Sequence, residues 1–242
     1  MDTAAHARSF GSAAAQYARA RPGYPDDAVD FLVPAPARRV LDLGAGTGKF
    51  TASLVARGLD AVAVEPSTRM LAQLRAALPG VEAHEGSAEA TGLPDACVDA
   101  VVVAQAWHWV DPQRAVPEVA RVLRPGGTLG LVWNVRDDSA DWVRQLWSLA
   151  QLGREQEVHR PTDLAALFGP VEHFETAHVH RTDRAGVLDL IASRSYVIVL
   201  PDDERAQLLA AVADLLEHHP ALRGHEEVAL PYRTHCARAR RG

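Results

Sequence analysis

A short apolar segment followed by a glycine-rich turn constrains this chain more than any other feature. Val40, Leu41 and Leu43 are typical of a buried strand, and glycines then occupy every second position from Gly44 to Gly48. A helix-compatible run, Lys49 to Arg57, follows. Strand, glycine turn and helix in this order predict the first βα unit of a nucleotide-binding fold, in which a ligand approaches the backbone closely. The free N–H groups and positive dipole end of the helix would face that ligand.

The spacing of the glycines indicates which kind of nucleotide this turn accepts. The dinucleotide fingerprint is G-x-G-x-x-G, whereas this turn reads G-x-G-x-G, and Lys49 stands where a dinucleotide-binding protein has its third glycine. An acidic residue is expected about 20 residues further on, where it binds ribose hydroxyls. Glu65 meets that expectation at the end of a predicted strand, residues 61–64. The pattern therefore predicts an acidic residue that binds ribose hydroxyls, but it disfavours a dinucleotide as the ligand.

Composition places the chain among ordinary globular proteins. It has 242 residues, of which 48% are hydrophobic and 23% charged, and its net charge is −6. The negative charge disfavours a nucleic-acid substrate, because phosphate binding requires a basic face. The two cysteines show no metal-ligand spacing and no disulfide framework. No apolar run resembles a signal core or a membrane span, so we expect a cytoplasmic protein without membrane association.

The hydrophobic pattern beyond the turn predicts alternating strands and helices up to about residue 135. Ser67 is expected to cap a helix, and Asp111 with Pro112 to begin another, which Pro117 should kink or delay by one turn. The predicted strands after the second are 81–84, 99–104, 128–134, 171–181 and 228–237. The predicted helices are 27–32 capped by Asp26, 68–78, the one after Asp111 that ends at 124–127, one indicated by Trp142, Leu146 and Leu149, 162–168, 182–195 and 203–219 capped by Asp202.

The N-terminal segment allows two interpretations. Phe10, Ala14 and Tyr17 lie at helical spacing, and the helix must stop before Pro22. The segment is either a packing helix or a lid over the ligand, with Arg21 near a ligand carboxylate. The spacing alone leaves both open.

Several sequence blocks resemble the class I S-adenosylmethionine (SAM) dependent methyltransferases. They are the turn Leu41 to Gly48, which matches the family's motif I, Val64 to Pro66, Gly86 to Glu89 followed by Leu93-Pro94, and Arg121 to Gly127, which reads R-V-L-x-P-G-G. The resemblance covers most of residues 36–135 and is closest to the methyltransferase type 11 group. Looser similarity at 17–25 and 107–111 is to the subgroup that includes trans-aconitate methyltransferases.

This resemblance implies the fold and the organisation of the chain. We expect an α/β Rossmann-like three-layer sandwich with a seven-stranded, mostly parallel sheet, in which strand seven is antiparallel and pairs with strand six. The chain is expected to be a single methyltransferase domain, 1–242, with N-terminal lid helices in 1–37, a SAM-binding core in 38–135, and an acceptor-side insertion with the last strands in 136–242.

The resemblance also implies the cofactor and its contacts. SAM would be bound, and S-adenosylhomocysteine would be the product. The turn would lie against the methionine part, Glu65 would bind the ribose, and the methyl group would face the segment after strand four. The implied cofactor-binding residues are Gly44, Ala45, Gly46, Gly48, Glu65, Pro66, Met70, Ser87, Ala88, Glu89, Gln105, Ala106, Trp107, Tyr17 and Arg21.

The acceptor side is less determined by sequence. His108 is the candidate general base for a hydroxyl or amine acceptor, because histidine titrates near neutrality. The alternative is that His108 only packs between Trp107 and Trp109, and a carboxylate acceptor would need no base. His178 and His180 share a face of the predicted strand but lack a third ligand, so no metal is expected. The candidate acceptor-binding residues are Trp109, Trp133, Arg136, Arg194 and Tyr196.

The sequence thus predicts an enzyme that transfers the SAM methyl group to an oxygen, nitrogen or carbon of a small molecule, mainly by positioning. Two alternatives stay open. One is a nicotinamide-dependent oxidoreductase on a Rossmann fold, and the other is a SAM-binding protein that does not methylate or that methylates a macromolecule. The expected partner is a small-molecule acceptor, and the chain is expected to be a monomer or a homodimer.

Overall fold

The computed structural model of the protein describes residues 21–150, 164 and 167–242. Its strands form one seven-stranded sheet in the spatial order third, second, first, fourth, fifth, seventh, sixth. The first five strands pair in parallel and the seventh is antiparallel, as the resemblance implied. The strands are β1 (Arg39–Leu43), β2 (Asp60–Glu65), β3 (Glu82–Glu85), β4 (Val98–Ala104), β5 (Leu123–Arg136), β6 (Glu172–Asp183) and β7 (Glu227–Arg240).

Helices connect these strands, and three of them begin at a side-chain cap. Ser67, Asp111 and Asp183 each accept a hydrogen bond from a backbone N–H in the first turn of the helix that follows, which satisfies a donor that the helix leaves free. The helices are α1 (Asp26–Leu32), α2 (Lys49–Ala56), α3 (Thr68–Ala77), a 3₁₀ helix (Trp107–Trp109), α4 (Pro112–Val122), α5 (Asp141–Leu149), α6 (Arg184–Ala192), α7 (Ser195–Ile198) and α8 (Asp202–His218).

The junction of α4 and β5 differs from the sequence prediction. Helix α4 starts without delay at Pro112 and contains Pro117, because the Asp111 cap fixes its first turn. The helix ends at Val122, directly before the segment 124–127 that was predicted to end it, but that segment belongs to β5, which starts earlier than the predicted strand 128–134. Gly126 has a φ of +75°, and the register between β4 and β5 shifts at these residues, between the pairs Val98–Leu123 and Ala100–Thr128. The N–H of Arg241 donates to the carbonyl of Gly127 over 2.8 Å. The Pro-Gly-Gly segment therefore keeps the left-handed glycine conformation of a turn, as an irregularity within the strand.

Other boundaries also differ from prediction. Asp26 and Asp202 are the first helical residues of α1 and α8, and the preceding prolines, Pro25 and Pro201, take the cap positions without a side-chain cap. An extended proline before a helix start replaces the expected Asp cap. The predicted helix 182–195 ends at Ala192 and is followed by the separate short α7. The predicted helix 162–168 lies almost entirely outside the described residues.

The chain divides into two compact units, each with its own core. We call residues 23–134, 167–176 and 234–242 the core unit, and residues 21–22, 135–150 and 177–233 the helical unit. In the core unit, α1 packs on β5, where a Cβ on Gly130 would lie 2.8 Å from Leu32 Cδ2. In the helical unit, buried residues of α5, α6, α8 and β7 form one apolar cluster.

The parallel register determines where a ligand can bind in the core unit. Leu43 of β1 pairs with Val64 of β2, and Asp42 pairs with Val102 of β4. The carboxyl ends of these strands therefore lie at one edge of the sheet, which is the edge where open α/β sheets bind ligands. No helix among the described residues is long and apolar enough to cross a membrane.

Candidate functional site

The turn after β1 adopts the conformation that its glycines were predicted to allow. Gly44, Gly46 and Gly48 have φ angles of +73°, +59° and +87°. The N–H groups of Gly44 and Ala45 both donate to the carbonyl of Val64, over 2.8 and 3.1 Å. The turn is thereby fixed against β2, and L side chains would strain it at three positions.

The three glycines meet different surroundings. A Cβ on Gly44 would lie 2.9 Å from the Cβ of Ala106, and one on Gly48 would lie 2.9 Å from Leu74 Cγ. A Cβ on Gly46 would meet nothing nearer than Met70 Sδ, at 4.0 Å. Gly44 and Gly48 therefore allow close packing within the protein, whereas the backbone of Gly46 faces open space that a ligand can occupy.

A carboxylate lies beside that open space. Glu65 ends β2 and is only 5% exposed. Its Oε2 accepts the N–H of Gly46 over 2.8 Å, and its Oε1 accepts the N–H of Ser67 over 2.9 Å. Carboxylate oxygens have about four lone-pair sites in total, so both retain capacity for hydroxyl donors of a ligand. The glycine turn and Glu65 together fit a nucleoside ribose.

A second carboxyl lies within β1 itself. Asp42 is fully buried, and the hydroxyl of Thr51 donates to its Oδ2 over 2.6 Å. Its Oδ1 has no hydrogen-bond partner among the described residues. Burial raises the pKa of Asp42 to about 7, against the hydrogen bonds from Thr51, and the negative charge of Glu65 raises it further. This acid is therefore partly protonated near neutrality.

The segment after β3 contains the predicted adenine edge. Ala88 is buried, and Ser87 and Ala90 form an isolated antiparallel bridge. Oε1 of Glu89 accepts the N–H of Asp111 over 2.9 Å. Burial raises the pKa of Glu89, but the hydrogen bonds from the Asp111 amide and the Ser87 hydroxyl outweigh it and leave that pKa lowered. Glu89 is therefore ionised and fastened to the start of α4.

The segment after β4 has an unusual backbone. Gln105 has a φ of +58°, which a residue with a side chain rarely adopts. Its N–H donates to the carbonyl of Val132 over 2.9 Å, and its Nε2 donates to the carbonyl of Asn134 over 3.1 Å. Such local strain persists where surrounding contacts over-determine it, often beside a ligand site. Here both the backbone N–H and the side-chain amide of Gln105 are held by carbonyl groups of β5.

The 3₁₀ helix separates its aromatic residues into buried and exposed ones. Trp107 is 4% exposed, while Trp109 is 78% exposed. The exposed ring of His108 packs against Trp109 at a centroid distance of 4.8 Å. Trp133 of β5 is buried, and its Nε1 has no hydrogen-bond partner among the described residues. The structure thus places Trp107 and Trp133 in the interior of the core unit, with Gln105 half-buried, and leaves His108 and Trp109 at its surface.

Comparisons with known proteins agree with this geometry. Residues 41–131 match a family described as a methyltransferase domain. An uncharacterised methyltransferase of Mycobacterium tuberculosis is 54% identical over 232 residues, which is 96% of this chain and 95% of that protein. The chain belongs to the class I SAM-dependent methyltransferase family.

Two further comparisons cover nearly the whole chain. An uncharacterised methyltransferase-like protein of Schizosaccharomyces pombe is 31% identical over 248 residues, covering 94% of this chain and 93% of that protein. A solved structure described as a candidate type II methyltransferase from Anaeromyxobacter dehalogenans superposes with a TM-score of 0.65 at 27% identity, covering 91% of this chain and 97% of that one. Membership of the methyltransferase family therefore extends beyond the matched residues 41–131.

The remaining predicted residues of this methyltransferase lie in the helical unit or outside the described residues. Tyr17 falls outside them. Arg21, Arg136 and Arg194 are described, and the positive charges of all three lower the pKa of Tyr196 against the burial that raises it. The three arginines therefore act electrostatically on Tyr196 within the helical unit, and Arg136 and Arg194 both contact the ring of Trp147. No group of three metal-ligating side chains occurs among the described residues.

Sequence reasoning missed three residues that the structure draws into these sites. Asp42 could have been found, since an acid within an apolar strand that is buried on both faces signals a buried charge. The sequence assigns Trp147 to no site, and Tyr232 is only one residue of a predicted strand. Both belong to the helical unit and adjoin the arginines through contacts between segments far apart in sequence, which no local pattern reveals.

One buried amide ties the core unit together behind the site. Asn134 is 4% exposed and lies near the end of β5. Its Nδ2 donates to the carbonyl of Gly23 over 2.9 Å, and its Oδ1 accepts the hydroxyl of Thr234 over 2.7 Å. Together with the bond from Gln105 to its carbonyl, these contacts join four separate segments of the chain.

Proposed function

We propose that this methyltransferase binds SAM at the carboxyl edge of the core unit and transfers its methyl group to a small-molecule acceptor. The observation that supports this most directly is the pairing of the open backbone face at Gly46 with the Glu65 carboxylate. Charge-assisted hydrogen bonds from ribose hydroxyls to that carboxylate would be stronger than neutral ones. When bound, SAM supplies an activated methyl group on sulfur and a neutral thioether as leaving group.

Each wall of the site has a role in this proposal. Gly44 to Gly48 bind the methionine part, Glu65 holds the ribose, and Met70 with Pro66 packs against the adenine. Ser87, Ala88 and Glu89 border the adenine edge. Gln105, Ala106 and Trp107 line the methyl side, and Tyr17 and Arg21 contact the carboxylate of the amino acid. These roles are carried over from the family's motifs and supported by the fastened geometry of Glu65, Glu89 and Gln105.

The protein's contribution to the reaction would be chiefly geometric. Methyl transfer is an in-line displacement, so the acceptor atom must be held opposite the sulfur with water excluded. Trp109, Trp133, Arg136, Arg194 and Tyr196 are our candidates for holding the acceptor. His108 is exposed and can exchange protons with solvent, so it is suited to accept a proton from a hydroxyl or amine acceptor. Turnover unchanged in His108→Gln would exclude that role.

The cofactor proposal is tested by calorimetric titration with S-adenosylhomocysteine and, separately, with NADH. We expect only S-adenosylhomocysteine to bind the wild type. In Glu65→Gln its affinity should fall by about tenfold to a hundredfold, the value of losing hydrogen bonds to a charged group. Glu85→Gln is the matched control, because Glu85 is the register partner of Glu65 on β3 but is exposed.

Binding alone does not establish methyl transfer. Incubation with SAM labelled in its methyl group, followed by mass spectrometry of added small molecules, tests the transfer itself. A protein that binds NADH but not S-adenosylhomocysteine would contradict the proposal and favour the oxidoreductase alternative. A protein that binds S-adenosylhomocysteine but labels only protein or RNA would favour a macromolecular acceptor.

A further inference from the structure

Two guanidinium groups share one buried aromatic ring in the helical unit. Trp147 of α5 is 3% exposed. The Cζ of Arg194 lies 4.9 Å from the centroid of its ring, and the Cζ of Arg136 lies 5.6 Å away. Each arrangement is a favourable cation–π contact. The shared ring nevertheless brings two positive charges close together, and an anion between them would lower their mutual repulsion.

Two tyrosines complete this group. Burial raises the pKa of Tyr196 and of Tyr232, while the positive charges of the same arginines, Arg194, Arg21 and Arg136, act on both hydroxyls in the opposite direction. Tyr232 is 2% exposed and its ring is stacked on His178 at 5.6 Å. We call the group the arginine cluster; its members are Arg21, Arg136, Arg194, Trp147, Tyr196 and Tyr232.

The cluster also contains unused hydrogen-bond donors. Among the described residues, the buried Nε1 of Trp147 and the buried hydroxyl of Tyr196 have no hydrogen-bond partner. Arg194 acts on the Tyr232 oxygen as a weak donor, but the O–H of Tyr232 has no acceptor in that part of the chain. Buried polar groups in folded proteins are normally satisfied, so three unused donors in one place need an explanation. A single oxyanion can accept several hydrogen bonds at once, so positive charge and unused donors point to the same ligand chemistry.

We propose that Arg136, Arg194 and Tyr196 of the arginine cluster bind an oxyanion, a carboxylate or a phosphate, carried by the methyl acceptor. This inference rests on the proposed function, since it assigns the substrate class of the same reaction. Arg136 is the last residue of β5. SAM also carries a carboxylate, so the experiment must distinguish binding of the cofactor carboxylate from binding of an oxyanion on the acceptor.

The test is calorimetric titration of the protein saturated with S-adenosylhomocysteine, which compares the affinity of each anion with that of a neutral analogue, called its neutral twin. The probes are benzoate with benzamide, succinate with succinamide, and phenyl phosphate with phenol. We expect at least one anion to bind, and its neutral twin to bind about tenfold or more weakly. Benzoate against phenyl phosphate tells a carboxylate site from a phosphate site.

Three variants locate the binding. Arg136→Gln and Arg194→Gln should each weaken the anion by about tenfold to a hundredfold. Tyr196→Phe should weaken it several-fold without lowering the unfolding temperature, because the hydroxyl it removes has no hydrogen-bond partner among the described residues. Arg181→Gln is the control: its guanidinium lies on β6 of the same unit, is exposed, and pairs with Glu227.

The outcomes separate this inference from the cofactor proposal. If S-adenosylhomocysteine binds but the anions do not, or bind no better than their twins, the arginine cluster has no acceptor role. The same follows if the anions bind only in the absence of S-adenosylhomocysteine and compete with it, since the cluster would then hold the cofactor carboxylate. If S-adenosylhomocysteine itself fails to bind, the cofactor proposal fails. Anion binding that the arginine variants weaken and Arg181→Gln does not would then still support the cluster as an oxyanion site.

Discussion

Replacing Asp42 by Asn should change how the stability of the protein depends on pH. The carboxyl of Asp42 is fully buried in β1, which raises its pKa from 3.8 to about 7. The folded protein therefore binds this proton more tightly than the unfolded chain does. By proton linkage, the free energy of unfolding contributed by Asp42 is full below pH 3.8 and is lost as the pH rises towards 7.

The size of the effect follows from the two pKa values. They differ by about three pH units, and each unit corresponds to about 1.4 kcal/mol, which gives a loss of about 4 kcal/mol. The amide introduced by Asp42→Asn would keep an oxygen to accept the Thr51 hydroxyl and would not titrate. The stability of this variant relative to wild type should therefore improve by up to about 4 kcal/mol between acid and neutral pH, and then stay constant.

Urea unfolding of both proteins at several pH values from about 4 to about 8 measures this difference. Other titrating groups are shared by the two proteins and cancel in the comparison. A third protein, Thr51→Val, removes the hydroxyl that donates to Asp42 and should extend the loss of stability to still higher pH. Parallel stability curves for wild type and Asp42→Asn would show that Asp42 is ionised throughout, and would refute the reasoning.

Three further predictions follow from the core unit. Gly46→Ala and Gly58→Ala both place Ala at positive φ without a clash within 3.4 Å, so each should lower the free energy of unfolding by about 1–2 kcal/mol. Only Gly46→Ala should also lower the affinity for S-adenosylhomocysteine, by about tenfold. Equal affinities in the two variants would show that the face of Gly46 is not a ligand site. Hydrogen bonds from Arg121 lower the pKa of Glu118 to about 2, although burial acts in the opposite direction. At neutral pH the free energy of unfolding of Glu118→Gln should therefore be about 1–3 kcal/mol lower than that of wild type. Urea unfolding should show this difference vanishing as the pH falls from 4.5 towards 2. Burial raises the pKa of the Cys236 thiol to about 12, so a thiol reagent should modify Cys97 first, and modification of Cys236 in the native protein at a comparable rate would contradict its burial.

Short-range patterns predicted the local structure around the glycine turn well. The glycines of the turn, the Ser67 cap and the position of Glu65 depend on residues within one βα unit, and the structure has the turn and the cap as predicted. Spacing alone could not show that Glu65 also accepts the N–H of Gly46, because that contact requires the turn to fold back onto β2. The roles of these residues towards SAM stay predictions until binding is measured.

Long-range contacts account for what the sequence did not reveal. The N–H of Arg241, near the far end of the chain, donates to the carbonyl of Gly127, and the local sequence around β5 does not reveal this contact. The arginine cluster likewise draws its members from α5, from the end of β5, from β7 and from the segment around the start of α7. Their positions in the sequence therefore follow no pattern that would predict the cluster. Arg136, Arg194 and Tyr196 were predicted as separate acceptor candidates, and only folding shows that they share one set of charges, with both arginines on one aromatic ring.

The contacts of Asn134 have a consequence for how this chain can diverge. Gln105 and Asn134 meet through the backbone carbonyl of residue 134, so their side chains can change independently. Thr234 and Asn134 instead meet side chain to side chain in a buried place, where a change in one leaves a polar atom of the other unpaired. Among related sequences we therefore expect positions 134 and 234 to be replaced together, whereas a replacement at position 105 does not require one at position 134.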